Sequence, residues 1–207
     1  MKRFDAQESS TLAELASISA GYPFRGKIDA LPEGDVAVIQ MRNADPDAGI
    51  DWESLSHVEL PRASEKSYLR AGDIILSTRG GRNFPYLIAE CSRPAVCSPH
   101  FFVIRVHAGE ILPEFLAWQM RQKPCQDHFA IGATGSYILN LTRDVVSGLP
   151  VVVPPPEAQQ LIVEIDAAAK AERALLTQLI DNRANEMAAI ARQLLAPAVQ
   201  NSEQRVS

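Results

Sequence analysis

Apolar and polar positions follow different patterns in two parts of the chain. As far as residue 153, short runs of β-branched and aromatic residues are separated by turn-forming residues, a pattern that favours strands. These runs predict strands at residues 36–41, 74–78, 86–89, 95–97, 101–106 and 149–153. Short helical patterns occupy residues 11–16, 113–120, 126–130 and 143–146. The first part is therefore predicted to be an α+β, strand-rich globular domain.

The second part has the pattern of one long helix. No proline or glycine occurs between Glu157 and Leu195, and Pro156 suits the first helical position. A continuous helix over this range would be roughly 58 Å long. Its apolar residues recur with a period near 3.5, which is typical of a coiled-coil seam. The predicted pairing residues are Leu161, Ile162, Ile165, Leu175, Leu176, Leu179, Ile180, Met187, Ile190 and Leu194.

These patterns predict a globular domain over residues 1–153, a pairing helix over 154–197 and a disordered tail over 198–207. The sequence Asp181-Asn182-Arg183 is a weak helix former, so a kink at that point stays open. The alternative to pairing is a helix that packs only on its own domain. Because a domain of about 150 residues is much shorter than this helix, we expect the apolar face to extend beyond it and to require a partner.

Composition narrows the class of protein. With 207 residues, 46% of them hydrophobic, the chain is long enough for one globular domain and an appendage. It contains no apolar run long enough to span a membrane and no apolar signal segment after Met1, so we expect a soluble, cytoplasmic protein. The three cysteines lack a Cys-x-x-Cys pair and are predicted to be small buried residues.

Charge is unevenly distributed along the chain. The net charge is −5, which disfavours a nonspecific polyanion binder. Residues 61–150 nevertheless carry 10 basic and 7 acidic side chains, a local excess of +3. On charge alone, a phosphate-facing surface and an ordinary mixed surface are both compatible with this segment.

Three stretches resemble the target-recognition domain of type I restriction–modification specificity subunits. The first runs from Leu12 to Lys27, the second is Leu69-Arg70-Ala71-Gly72-Asp73 with the apolar strand that follows, and the third runs from Gly135 through the prolines to Gln160. Each is weakly specific alone, but their order and spacing match the family over roughly residues 11–195.

The resemblance implies a DNA-sequence reader that has no catalytic activity and needs no cofactor. In this family a recognition domain reads half of a bipartite site in double-stranded DNA. The long helix pairs antiparallel with a second one, sets the distance between half-sites, and docks methyltransferase and motor endonuclease subunits. Family members commonly carry two domains and two helices, whereas this chain has one of each. A two-fold homodimer would supply the second set.

Sequence readout needs donors and acceptors on loops that a stiff scaffold holds in place. Three loops qualify, and the alternative for each is a solvated or purely structural turn. The candidate DNA contacts are Arg79, Arg82 and Asn83 in one loop, Thr134, Ser136 and Tyr137 in a second, and Arg25 and Lys27 in a third. Arginine can pair with guanine and asparagine with adenine in a bidentate way.

Other chemistry finds little support in the sequence. The four histidines have no metal-ligand spacing, and no combination of serine, histidine and aspartate suggests an enzyme. The main rival is an assembly or protein-interaction subunit that keeps the same fold without reading DNA, which the net charge of −5 favours. A positive face that contains Arg79 and Arg82 would favour DNA reading.

Overall fold

The computed structural model describes residues 9–26, 28, 30–31, 33–60, 64–79, 83–133 and 140–203, with side chains from residue 10 to residue 195. The strands are β1 (Ser9–Thr11), β2 (Ala16–Ala20), β3 (Val36–Ile39), β4 (Ala44–Asp45), β5 (Gly49–Ile50), β6 (Ser56–Val58), β7 (Ile74–Ser77), β8 (Pro85–Leu87), β9 (Ala95–Cys97), β10 (Phe101–Val106) and β11 (Pro150–Val152). The α-helices are α1 (Leu12–Leu15), α2 (Pro113–Met120), α3 (Lys123–Gly132), α4 (Arg143–Ser147) and α5 (Pro156–Glu203). The predicted strand-rich α+β architecture with a long C-terminal helix is confirmed.

A four-stranded antiparallel sheet, in the order β2-β10-β7-β8, forms the centre of the globular unit. Alternate residues of its strands enter two different cores. Ile74 and Ile104, which are partners in the register, pack with α2, whereas Ile75 and Val103 enter a second core on the opposite face. Because both faces are buried, the central strands are apolar at successive positions, which explains why sequence predicted them correctly.

A smaller mixed sheet, in the order β6-β3-β9, packs against the second core. Its middle strand β3 pairs parallel with β9 and antiparallel with β6, and all four of its residues are buried. Ala37 and Ile39 point into the second core, while Val36 and Val38 belong to a third cluster. The parallel pairing places the carboxyl ends of β3 and β9 side by side.

The structure differs from the prediction near the N-terminus. The helix predicted over residues 11–16 is a single turn, α1, and strands β1 and β2 lie on either side of it. Strand β2 pairs along its whole length with β10, and β1 pairs with β11. These long-range pairings outweigh the local helical pattern of Leu12 and Leu15, which both point into the first core.

The Gly72-Asp73 pair of the family-like motif has a structural role. Gly72 adopts a positive φ of 86°, and the buried Asp73 accepts a hydrogen bond from the Arg70 backbone N–H at 2.8 Å. The Asp73 carboxylate also accepts two bonds at 2.7 Å from the Arg105 guanidinium. The motif therefore closes the turn that leads into β7 and ties it to β10.

Helix α5 begins at a buried junction. The Gln159 side chain is 2% exposed; its oxygen accepts from the Leu112 N–H at 2.8 Å and its nitrogen donates to the Pro154 carbonyl at 2.8 Å. One compact unit extends through Val163 and a second begins at Glu164, so the first two turns of α5 belong to the globular unit.

The helix is continuous through Asp181-Asn182-Arg183, so this weak helix-forming sequence does not break it. It also continues past residue 197 to Glu203, into the segment predicted to be a disordered tail. Residues 204–207 lie outside the described part of the chain. No described helix is long and apolar enough to cross a membrane.

Candidate nucleic-acid interface

The backbone at Thr78 and Arg79, just after β7, is hydrogen-bonded to two other segments of the chain. The preceding residue, Thr78, donates from both its backbone N–H and its Oγ1 to the His100 carbonyl, each at 2.9 Å. The Thr78 carbonyl in turn accepts from the Leu141 N–H at 3.0 Å, and Arg79 forms a β-bridge with Asn140. The exposed Arg79 side chain therefore starts from a fixed backbone, as a DNA-contacting residue requires.

The loop that carries Arg25 is fixed by its first residues. Gly21 donates to the Phe101 carbonyl at 2.9 Å, and Tyr22 donates to the Cys97 carbonyl at 2.8 Å. A Cβ atom at Gly21 would lie 2.1 Å from the Ser98 carbonyl oxygen, so only glycine allows this close approach. The chain then continues to Arg25, whose side chain is exposed.

The loop that carries Arg25 lines one cleft of about 380 Å³. Its walls come from the segments that follow the carboxyl ends of β2, β3 and β9, which the sheet pairings bring together. The lining residues are Phe24, Gly26, Ile28, Gln40, Met41, Arg42, Ser98, Pro99 and His100. Arg25 precedes one lining residue, and Arg79 acts electrostatically on another, His100. Arg42 thus lines the cleft, while Arg25 and Arg79 lie next to its lining residues, one along the chain and the other through its charge.

The surroundings of His100 favour its neutral form. Burial, followed by the positive charge of Arg79, lowers the pKa of His100 below its ordinary value. A neutral imidazole has one nitrogen that donates and one that accepts. In that form His100 offers both a donor and an acceptor in a cleft that Arg42 also lines.

The acidic loop between β4 and β5 has the opposite character. Asp45 accepts hydrogen bonds at 2.8 Å from the backbone N–H groups of Asp47 and Ala48, and these bonds lower the pKa of Asp45. A side-chain hydrogen bond from Ser54 lowers the pKa of Asp51 in the same way. These carboxylates stay ionised, so this loop would repel a phosphate.

The structure places the predicted DNA contacts differently from one another. Arg25 and Arg79 are exposed beside the cleft. Asn83 is only 8% exposed, and its Nδ2 donates to the Ser77 carbonyl at 2.8 Å, so this amide serves the turn between β7 and β8. Arg82, Lys27, Thr134, Ser136 and Tyr137 lie outside the described residues.

Three cleft residues were not selected from the sequence. Gln40 and Arg42 follow the buried strand β3 in the same way that Arg79 follows β7, and this repeated position was the available signal. His100 precedes β10, and nothing in the neighbouring sequence marks it as a site residue. Its position depends on the hydrogen bond from Thr78, which follows β7.

The predicted pairing face of α5 is largely exposed in the single chain. Exposure ranges from 42% for Ile190 to 72% for Leu194, while Ile162 is partly buried against the first core. A continuous apolar stripe of this kind is typical of an interface. Pairing itself stays a prediction.

No protein-family model and no curated protein matches the sequence. Solved structures do match. One comes from a study of the complex assembly and conformational transition of the type I restriction–modification system. It has a TM-score of 0.63 at 18% identity, over 84% of this chain and 45% of that one. The HsdS subunit from Thermoanaerobacter tengcongensis gives 0.61 at 19% identity, with the same two shares.

A third match is the type I restriction–modification S subunit from M. genitalium, with a TM-score of 0.58 at 14% identity, over 87% of this chain and 44% of that one. The chain thus spans less than half the length of these proteins. The resemblance predicted from the sequence is confirmed, and at these identities it shows a shared fold: that of one half of a type I specificity subunit.

Proposed function

We propose that the chain is a non-catalytic DNA-recognition subunit of a type I restriction–modification system that reads half of a bipartite site. The observation that carries the proposal is a cleft lined by Arg42 and His100, with Arg25 between two of its lining residues and Arg79 close enough to act on His100. This local positive charge occurs in a chain whose net charge is −5, so it is a property of this face rather than of the whole surface.

The proposed division of labour follows the two parts of the chain. Residues 1–153 form the recognition domain, and residues 154–197 form a helix that pairs antiparallel with the same helix of a second copy. Such a homodimer would present two identical domains to an inverted-repeat site in double-stranded DNA. Methyltransferase subunits, and in some assemblies the motor endonuclease, would bind to this homodimer in the cytoplasm.

Sequence selection from a random duplex library tests the recognition step. We expect the full chain to enrich one half-site, and its affinity for that site to fall as salt rises because bound arginines release counterions from the phosphates. Arg79→Gln should weaken binding and reduce the slope of log affinity against log salt by about 1. Arg192→Gln removes the same charge from α5, outside the first compact unit, and serves as the matched control.

Enrichment of no sequence would contradict DNA reading and would favour the rival, an assembly subunit with the same fold. Equal losses for Arg79→Gln and Arg192→Gln would show that binding follows total charge and not this face.

The pairing step needs a separate measurement. Leu176 and Ile180 are 53% and 68% exposed on α5, so lysine at both positions should separate a dimer without disturbing the globular unit. Gln178→Lys, on the other side of the same turns, is the matched control. We expect sedimentation to give twice the chain mass for wild type and control, and the single mass for the double variant. A monomeric wild type would contradict homodimerisation.

A further inference from the structure

Two long polar side chains on one wall of the cleft share a single hydroxyl group. Arg42 Nη2 lies 2.8 Å from Ser56 Oγ, and Gln40 Nε2 lies 3.4 Å from the same oxygen. Both residues follow β3, and Ser56 lies on β6 opposite Val38 in the register. The antiparallel pairing of β3 with β6 therefore brings the hydroxyl to the place where it can hold both side chains.

This arrangement does little for folding. Arg42 is exposed, and the core beneath it is filled by the buried residues of β3. Holding a glutamine or an arginine in one rotamer costs up to about 2 kcal/mol of entropy, while a hydrogen bond at the surface returns about 1 kcal/mol. A protein that orders such side chains before binding reduces the entropy lost when a ligand arrives, so the arrangement is typical of a recognition site.

The polar groups in the cleft match nucleobase edges better than phosphates. A phosphate only accepts hydrogen bonds, whereas base edges in the major groove present both donors and acceptors. The cleft offers guanidinium donors from Arg42, an amide with both functions from Gln40, and a neutral imidazole with both from His100.

We infer that Gln40, Arg42 and His100 are specificity-determining residues that read base edges of the half-site, and that Ser56 is the positioning residue for the first two. The inference rests on the proposed function and assigns its base readout to residues of this cleft. Arg25, on the adjoining loop, has only donors and is exposed, so it serves as the comparator for a phosphate contact.

The test is library selection with the full chain and five variants: Arg42→Gln, Gln40→Ala, Ser56→Ala, Ser56→Thr and Arg25→Gln. For Arg42→Gln we expect a changed base preference at one position and a loss of about 5- to 150-fold on the wild-type site, well beyond the smaller loss on random duplex that the removed charge causes. Arg25→Gln should weaken all sequences by the same factor and leave the preferred bases unchanged.

Ser56 needs a readout that distinguishes positioning from support of the fold. Ser56→Ala should keep the preferred bases but reduce discrimination against single-base changes, and Ser56→Thr, which keeps the hydroxyl, should restore it. Thermal melting checks that each variant is folded.

If the wild-type chain selects a site and both Arg42→Gln and Gln40→Ala keep its full discrimination, the inference is wrong while DNA reading stands. If the wild-type chain selects no site, the proposed function and the inference fail together.

Discussion

The Asp73–Arg105 ion pair should be one of the strongest single contributions to the stability of the globular unit. The Asp73 side chain is 1% exposed and that of Arg105 is 30% exposed. Asp73→Asn keeps the shape of the side chain but removes its charge and places an N–H₂ group against one of three donors: the Arg105 Nε and Nη2 groups and the Arg70 backbone N–H.

The size of the effect follows from this geometry. Breaking a buried ion pair by removing one partner costs about 3–5 kcal/mol. Arg105 regains part of its hydration because its side chain is partly exposed, so we expect a loss of about 2–3 kcal/mol in the free energy of unfolding. For a unit of this size that corresponds to a fall of roughly 4–12 °C in Tm.

Urea denaturation measures this loss directly. The midpoint should fall with an unchanged m-value, because the variant exposes the same surface on unfolding. A double-mutant cycle with Arg105→Gln should give a coupling energy of about 1–3 kcal/mol. Asp127→Asn, which breaks the exposed pair with Lys123, should cost less than about 0.5 kcal/mol and serves as the control. A loss below about 1 kcal/mol for Asp73→Asn, or a coupling near zero, would refute the reasoning.

Three further predictions concern other parts of the globular unit. Gly21→Ala should destabilise by about 1–3 kcal/mol in urea denaturation, because its Cβ would overlap a backbone oxygen at 2.1 Å. Gln159→Ala should cost about 2–3 kcal/mol by the same measurement, since it leaves a buried N–H and buried carbonyls unpaired at the start of α5. In native protein at pH 8, Ellman's reagent should modify the half-buried Cys91 first: burial raises the pKa of all three thiols, but Cys97, to about 12, and Cys125, to about 11, are also buried from the reagent.

Each of these has a matched control. Gly148→Ala should change stability far less than Gly21→Ala, because its nearest contact is 3.3 Å away and its φ is negative. Gln178→Ala, on the exposed part of α5, is the control for Gln159→Ala. In urea all three thiols should react at one rate. Equal destabilisation by variant and control, or fast native labelling of Cys97, would contradict the corresponding explanation.

Sequence predicted those parts of the fold that local pattern determines. The strands at residues 74–78 and 101–106 are buried on both faces, so their apolar runs are unmistakable. Strand β2, with the weak β formers Ala16 and Ala20 at its ends, depends on pairing with β10 and gave no comparable signal. The pattern of Pro156, a long stretch without proline or glycine, and a period near 3.5 predicts helix α5, although not its extension to Glu203.

The candidate site shows the same division. Arg25 and Arg79 could be selected because each lies on a loop with glycines beside it. The cleft that Arg42 and His100 line depends on the parallel pairing of β3 with β9, a contact between segments far apart in sequence. The burial of Asn83 was also outside the reach of sequence, because the acceptor that holds its amide is a backbone carbonyl six residues earlier.

Photocrosslinking tests the central claim, that this cleft meets the bases of a specific duplex, most directly. The selected half-site would be prepared with 5-iodouracil at single positions, irradiated with the full chain, and the crosslinked peptides identified by mass spectrometry. The account predicts adducts on segments that line the cleft, residues 40–42 and 98–100, reduced by an excess of unlabelled site. Adducts confined to α5 or to the acidic loop at residues 45–51 would contradict it.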